Sequence, residues 1–316
     1  MSFQGGYKAL THGKNIAVNL KTCPYCQDCG GCDYIDTPYL STLETKKKWV
    51  SELLGLDPKK VETVPSPSPV HYRTRCQVQI LNGNPGFFKR KSHDLVEIKE
   101  CLMLDERLNE KIREMKFDQN FKAKIELYLK DGVVCERIVE KKYDNQFTQV
   151  NEAVNALLVE KAVELLEPKA DDRVLELYCG FGNFSFAIME KTPGLKLTGI
   201  DIRTKQSSIK GLEFIEADVE KGLRQLEEQK KLSHYNKVFV DPPRIGIKPS
   251  VLNKILSIAP ERIVYVSCNP EALKKDAEAI ITAGFELKNI TLFDMFPFSK
   301  YVESLNLFIN KKGGRE

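Results

Sequence analysis

At 316 residues, with 42% hydrophobic and 29% charged side chains, the chain is long enough to bury a full core and has an ordinary globular composition. No apolar run reaches the roughly 20 residues that a membrane helix requires, and no signal peptide is visible. The nine cysteines are therefore expected in a reducing, cytoplasmic setting, where they bind metal, catalyse or stay inert rather than pair as disulfides. The formal net charge of +4 is carried entirely by residues 1–148, and residues 149–316 sum to zero.

Residues 1–37 are rich in cysteine and glycine. Cys23, Cys26, Cys29 and Cys32 follow one another at intervals of three, a pattern that reads as a metal site in a reducing compartment. Zinc and an iron–sulfur cluster both accept four thiolates, and spacing does not choose between them. Residues 38–59 hold an amphipathic helix, with Leu40, Leu43, Val50, Leu53 and Leu54 at helical spacing and Gly55 and Asp57-Pro58 closing it. A Pro-Ser stretch at 65–69 follows. Over 60–146 the runs CQVQIL, KIELYLK and VVCERIV alternate in strand fashion, with turns at Asn82-Gly83 and Asp131-Gly132, which predicts a small antiparallel unit. Basic clusters at Lys46-Lys47-Lys48, Arg73 and Arg75, and Lys89-Arg90-Lys91 read either as solvated surface or as a face that meets phosphates.

From 147 to 316 the pattern changes. NEAVNALLVEKAVELL (151–166) is a helix. RVLELYCG, LKLTGID, LEFIEAD, KVFVDPP and RIVYVSCN are short apolar strands, each ending in a polar, Gly or Pro break. Strands alternating with helices predict an α/β, doubly wound, mostly parallel sheet, closed by LKNITLFDMF and SLNLFIN as a hairpin on the sheet edge. Ligands of such sheets bind beyond the strand carboxyl ends. There the sequence places Gly180 and Gly182 in a Gly-x-Gly turn, then Asp201, Asp218 and Asp241. An acidic residue in the place of Asp201 can grip ribose hydroxyls, or simply cap a helix. So many carboxylates disfavour a pyrophosphate and favour S-adenosylmethionine, whose sulfonium is cationic. Cys268 ends an apolar run just where Asn269-Pro270 breaks it, as a displayed nucleophile would. Cys179, beside the glycine turn, reads as packing.

DPPR (241–244), SCNP (267–270), ELYCGFGNFSF (176–186), FPFSKYVES (296–304) and QFTQVN (146–151) occur together in this chain. With these motifs in this order, it resembles the RNA 5-methyluridine methyltransferase family over nearly its whole length. The resemblance implies a Rossmann-like class I S-adenosylmethionine-dependent methyltransferase domain with a small N-terminal iron–sulfur and antiparallel β domain. It implies Cys268 as nucleophile on uracil C6 and Glu303 as the base that removes the C5 proton. It likewise implies Gln149, Tyr178, Asn183, Asp201, Asp218 and Asp241 at the cofactor, beside Gly180 and Gly182. The family's Cys-x5-Cys-Gly-Gly-Cys and one distant cysteine map onto Cys23, Cys29, Cys32 and Cys101, which implies a [4Fe–4S] cluster with Cys26 as a spare or as a rival to Cys101. Where related sequences commonly read Phe-Pro-His-Thr-x-His, this chain has Phe298, Ser299 and Tyr301, so the loop before Glu303 lacks their imidazoles.

A uridine in folded RNA must be extruded to expose C6. The basic clusters would hold flanking phosphates, and Phe87 or Phe88 could stack on bases. Only about two dozen residues precede the cysteines, too few for the RNA-binding barrel of many relatives. The short form resembles the branch acting on 23S ribosomal RNA, with transfer RNA as the alternative substrate and a monomer as the expected state. Two rival readings are an RNA cytosine-C5 methyltransferase and a non-catalytic iron–sulfur RNA-binding protein.

Overall fold

The computed structural model describes residues 23–139, 149–311 and 313. Helix α1 (Tyr39–Leu54) ends at Gly55, whose φ of +65° closes the last turn through hydrogen bonds back to Glu52 and Ser51. Its buried face carries Tyr39, Thr42, Leu43, Lys46 and Val50, while Leu40, read from spacing as a core position, is exposed. Strand β1 (Glu62–Val64) follows.

The small unit is a five-stranded antiparallel sheet of β2 (Arg75–Leu81), β3 (Asn84–Phe88), β4 (Leu95–Glu97), β5 (Ala123–Lys130) and β6 (Val133–Ile138), in the order β4-β3-β2-β5-β6. Helix α2 (Glu106–Glu114) lies between β4 and β5 in the chain, and Leu104, Leu108 and Ile112 pack on Val78, Ile80 and Leu127. Both predicted two-residue turns form, with φ of +51° and +78° at Asn82-Gly83 and +50° and +79° at Asp131-Gly132, as type I′ hairpins require.

The larger unit runs α3 (Glu152–Leu166), β7 (Arg173–Leu177), α4 (Asn183–Lys191), β8 (Lys196–Asp201), β9 (Leu212–Glu216), α5 (Val219–Glu228), β10 (Lys237–Val240), α6 (Pro249–Ile258), β11 (Arg262–Ser267), α7 (Pro270–Thr282), β12 (Phe285–Phe293) and β13 (Glu303–Asn310). Its eight strands are ordered β1-β12-β13-β11-β10-β7-β8-β9. Pairing is parallel from β11 through β9 and antiparallel where β13 meets β11 and β12. Side chains of one strand alternate between two cores. Ile263 and Tyr265 face α5, α6 and α7, whereas Val264 and Val266 face α3 and α4, the period-2 consequence of the pleat.

Two features differ from the sequence reading, the place of the last hairpin and one unit boundary. The β12–β13 hairpin is not at the sheet edge, because β1 pairs in parallel with β12 from Glu62–Thr291 to Val64–Phe293. A unit starting at residue 60 therefore cuts through the larger sheet. Three residues carry too little periodicity to announce a strand, and the pairing is accompanied by a tertiary cluster in which Val50 of α1 packs with Val61, Ile290 and Leu292. Residues 1–22 and 140–148, including the first part of QFTQVN, lie outside the described residues. Among those described, no helix is long and apolar enough to cross a membrane.

Candidate active site

Cys268 follows β11 directly, and the break that displays it is built by its neighbours. Asn269 caps α7, its Oδ1 accepting from the Glu271 N–H at 3.2 Å, and Pro270 opens the helix, where a missing N–H costs nothing. The Asn269 side-chain amide also donates to the Arg244 carbonyl at 2.8 Å, tying the ends of β10 and β11 together. In the antiparallel β11–β13 ladder Ser267 pairs with Ser304. Cys268 and Glu303 directly adjoin that last pair, and the Glu303 side chain is buried.

Burial and the negative charges of Glu303 and Asp241 push the Cys268 thiol up to about 11, and Arg244 opposes them. Burial and Asp241 hold the Glu303 carboxyl well above the usual carboxylate range, again opposed by Arg244. Three acids crowded at adjoining strand ends resist simultaneous ionisation. Arg244 is the cation that lowers the pKa of both Cys268 and Glu303, and its guanidinium sits 4.9 Å from the centre of the Tyr301 ring. The thiol opens into a cavity of about 450 Å³ walled by Tyr34, Trp49, Arg244, Lys300 and Tyr301, large enough for one nucleotide base and its sugar.

The neighbouring strand ends form an acidic rim. Tyr178, at φ +63°, bends the chain out of β7, and its N–H donates to Ile200 O at 2.9 Å. Gly180 and Gly182 follow at φ +53° and +91°. A Cβ on Gly180 would meet nothing within 4 Å, whereas one on Gly182 would strike the Phe186 ring at 2.8 Å. Gly182 thus serves packing, and Gly180 leaves a ligand room. Burial, with Asp201, drives Asp241 up to about 7. Asp201 accepts from the Arg203 N–H at 2.8 Å instead of capping a helix. Asp218 is the cap, receiving Glu220 N–H at 3.1 Å, and its half-exposed carboxylate lies 3.5 Å from Lys248.

Glu176 was not legible as a site residue. It is almost wholly buried in β7, accepts from the Ser185 hydroxyl, and leaves Oε1 without a partner. Burial above all raises its pKa to about 8, with Asp241 and Asp201 adding to the effect. A carboxylate inside an apolar strand was the available signal. An orphaned carboxylate oxygen, two further acids and an open glycine turn fit a cationic donor such as S-adenosylmethionine. Asn183 is drawn elsewhere, exchanging two amide hydrogen bonds of 3.0 and 3.1 Å with Asn155 of α3. Gln149 lies in the segment entering α3, next to Val150, whose carbonyl accepts the Thr74 N–H at 3.0 Å.

Cys23, Cys29, Cys32 and Cys101 line one cavity of about 740 Å³, together with Cys26. Burial pushes the Cys32 thiol up to about 12, with Cys101, Cys29 and Cys23 adding to it. Cys101 rises to about 11, burial leading and Cys29 and Cys23 contributing. These four thiols feel one another, and their type fits a cluster, yet among the described residues no three potential ligands are gathered to metal-ligating geometry. Of the aromatic pair beside the basic run, Phe87 packs on the core of the small unit and Phe88 stands edge-on to His93.

The model of the family described as tRNA (uracil-5-)-methyltransferase matches residues 110–209 and 209–312. The 23S rRNA (uracil(1939)-C(5))-methyltransferase RlmD of Shewanella halifaxensis is 31% identical, across 90% of this chain and 81% of its own length. The enzyme of the same name from Enterobacter sp. is 37% identical over 57% of this chain and 42% of its own. A solved structure, the Pyrococcus abyssi tRNA (uracil-54, C5)-methyltransferase in complex with S-adenosyl-L-homocysteine, superposes with a TM-score of 0.66 at 22% identity, covering 89% of this chain and 86% of that one, which establishes the shared α/β methyltransferase fold. The chain belongs to the tRNA (uracil-5-)-methyltransferase family and is an S-adenosylmethionine-dependent RNA uracil-C5 methyltransferase.

Proposed function

We propose that the protein methylates C5 of a uridine in structured 23S ribosomal RNA through a transient bond between the Cys268 sulfur and uracil C6. The observation that carries this reading is a Cys268 thiol that lines a nucleotide-sized cavity and feels the charge of the buried Glu303 carboxyl. Uracil C5 is too weak a nucleophile to take a methyl group unaided. When Cys268 Sγ adds to C6, the C5=C6 electron pair passes to C5 as part of an enolate. S-adenosylmethionine, when bound, supplies the methyl group to that carbon. Glu303 then accepts the C5 proton, the electrons reform the C5=C6 bond, and Cys268 leaves as thiolate.

Arg244 would favour the thiolate and the carboxylate over their neutral forms, since its charge lowers both pKa values. Gln149, Tyr178, Gly180, Asp201, Asp218 and Asp241 would hold the donor, joined by Glu176. Gly182 would shape the turn, and Asn183, paired with Asn155, would start α4 beside it. Cys23, Cys29, Cys32 and Cys101 would hold a [4Fe–4S] cluster that binds the cysteine segment to the small unit, because methyl transfer consumes no electrons. An RNA substrate would be met in the cytoplasm by a monomer.

The relatives named for 23S ribosomal RNA support that substrate. The family description and the archaeal structural neighbour, both named for tRNA, support transfer RNA as the second reading. Mapping 5-methyluridine in ribosomal and transfer RNA from cells with and without the protein separates them. A ribosomal site that disappears with the protein supports the first reading, and a transfer RNA site overturns it.

A further inference from the structure

The cysteine segment is fastened to the loop that carries the catalytic carboxylate. Directly after Cys32, the N–H groups of Asp33 and Tyr34 both donate to the Phe298 carbonyl, each at 2.9 Å. Asp33 Oδ2 accepts from the Lys300 N–H at 3.0 Å. Its Oδ1 lies 3.3 Å from Arg90, whose guanidinium also bonds the Cys32 carbonyl. Phe298 is at φ +59°, a left-handed backbone that is strained for a non-glycine residue and persists only where its surroundings impose it. Its side chain is buried with Tyr39, Leu43, Tyr72 and Met103.

Three residues beyond the clamp at Lys300 stands Glu303. Between them Tyr301 presents its ring to Arg244, the cation that acts on both Cys268 and Glu303. Inside the loop, Ser299 donates to Phe296 O at 2.9 Å and accepts from Tyr301 N–H at 3.3 Å. Tyr34 itself walls the cavity at Cys268.

We propose that Asp33 is a positioning residue for the proton-removal step: its carboxylate, by holding the Lys300 N–H beside the Phe298 carbonyl that the backbone already grips, fixes the loop that aims Glu303 and seats Tyr301 on Arg244. The cysteine segment is thereby built into the active site. The inference rests on the covalent reading above. It locates the effect in time, because a misplaced Glu303 leaves sulfur addition and methyl transfer intact and delays only the final elimination.

The test incubates Asp33→Ala with S-adenosylmethionine and RNA containing ordinary uridine. Turnover is expected to fall on the order of 10²-fold, the usual cost of misplacing a reacting group by about 1 Å. The protein–RNA adduct, short-lived in the wild type, is expected to accumulate while donor affinity stays unchanged. Asp33→Asn, which keeps an acceptor for the Lys300 N–H, is expected to recover most of the turnover and to clear the adduct. If the alanine variant does not fold, Asp33→Glu, with its carboxylate displaced by one methylene, is read by the same criteria. Wild-type turnover in the displaced variant, or slower turnover without adduct accumulation, overturns the proposal. A wild-type enzyme that forms no adduct even on 5-fluorouridine RNA overturns the covalent reading instead, and this proposal with it.

Discussion

Cys268 and Glu303 both adjoin the last pair of the β11–β13 ladder, Ser267 with Ser304, because β13 runs antiparallel between β11 and β12. A parallel strand in that place would carry Glu303 to the far end of the sheet. The reversed strand thus gathers a thiol and a carboxyl from distant parts of the chain at one rim.

The covalent step is tested at the sulfur. Cys268→Ser should abolish both methyl transfer and the denaturation-resistant adduct with 5-fluorouridine RNA, since a hydroxyl is a far weaker nucleophile toward C6. Wild-type turnover by the serine variant, followed with radiolabelled donor, would falsify the scheme.

Glu303→Gln should separate the two halves of the reaction. Sulfur addition and methylation proceed, but no base takes the C5 proton, so the methylated adduct should persist on ordinary uridine RNA. A gel-shifted, label-bearing complex checks this, and its absence alongside normal product release argues for another base.

The rate should rise with pH. Folded-state pKa values are raised for Cys268, to about 11, and for Glu303. In the proposed mechanism both act in their deprotonated forms, whose populations grow about tenfold per pH unit below the pKa. Replacing Arg244 by Gln removes the charge that lowers both values and should move the rising limb to higher pH. A pH profile of kcat/KM that is flat, or unmoved in the variant, contradicts this electrostatic account.

Glu176 makes a stability prediction. Its pKa is raised from 4.5 to about 8 by burial, so the folded state holds a proton that the unfolded chain releases. Its contribution is therefore lost as pH climbs between those values. Glu176→Gln, which can still accept from Ser185, should gain in Tm relative to wild type progressively over that window, while binding donor more weakly. Thermal melts at several pH values check it; a difference independent of pH excludes an ionisable origin.

The buried ion pair of Lys46 with Asp294, at 2.6 Å, joins α1 to the loop before β13. Lys46 also donates to Phe296 O at 3.0 Å. Removing the cation in Lys46→Met should cost about 3–5 kcal/mol by stranding a buried carboxylate, measurable by denaturant unfolding. If the proposed cluster is present, Cys101→Ser should lower the iron content and Cys26→Ser should not; iron analysis showing the reverse exchanges their roles.

Local chemistry was legible without the fold. Asn82-Gly83 and Asp131-Gly132 fix their turns through backbone sterics, and Gly55 closes α1 where expected. The Asp-Pro-Pro and Ser-Cys-Asn-Pro breaks announce strand ends because proline and an Asx cap stop pairing and start a turn or helix. The family motifs then pointed to the strand ends where Cys268, Asp201, Asp218 and Asp241 stand.

What lay beyond sequence reasoning depends on distance along the chain. Three residues of β1 join the large sheet next to Val61, which packs with Val50 of α1 and with Ile290 and Leu292 of β12. Asp33 meets Lys300 across 267 positions, and no local preference encodes that meeting. Glu176 looks like any strand carboxylate until packing removes its water. The sequence by itself determined which groups could react, since turn sterics and side-chain chemistry are local. The tertiary structure alone decided which groups share a cavity, how far burial moves their protons, and what holds the carboxylate in line, because desolvation and register arise only once distant segments pack.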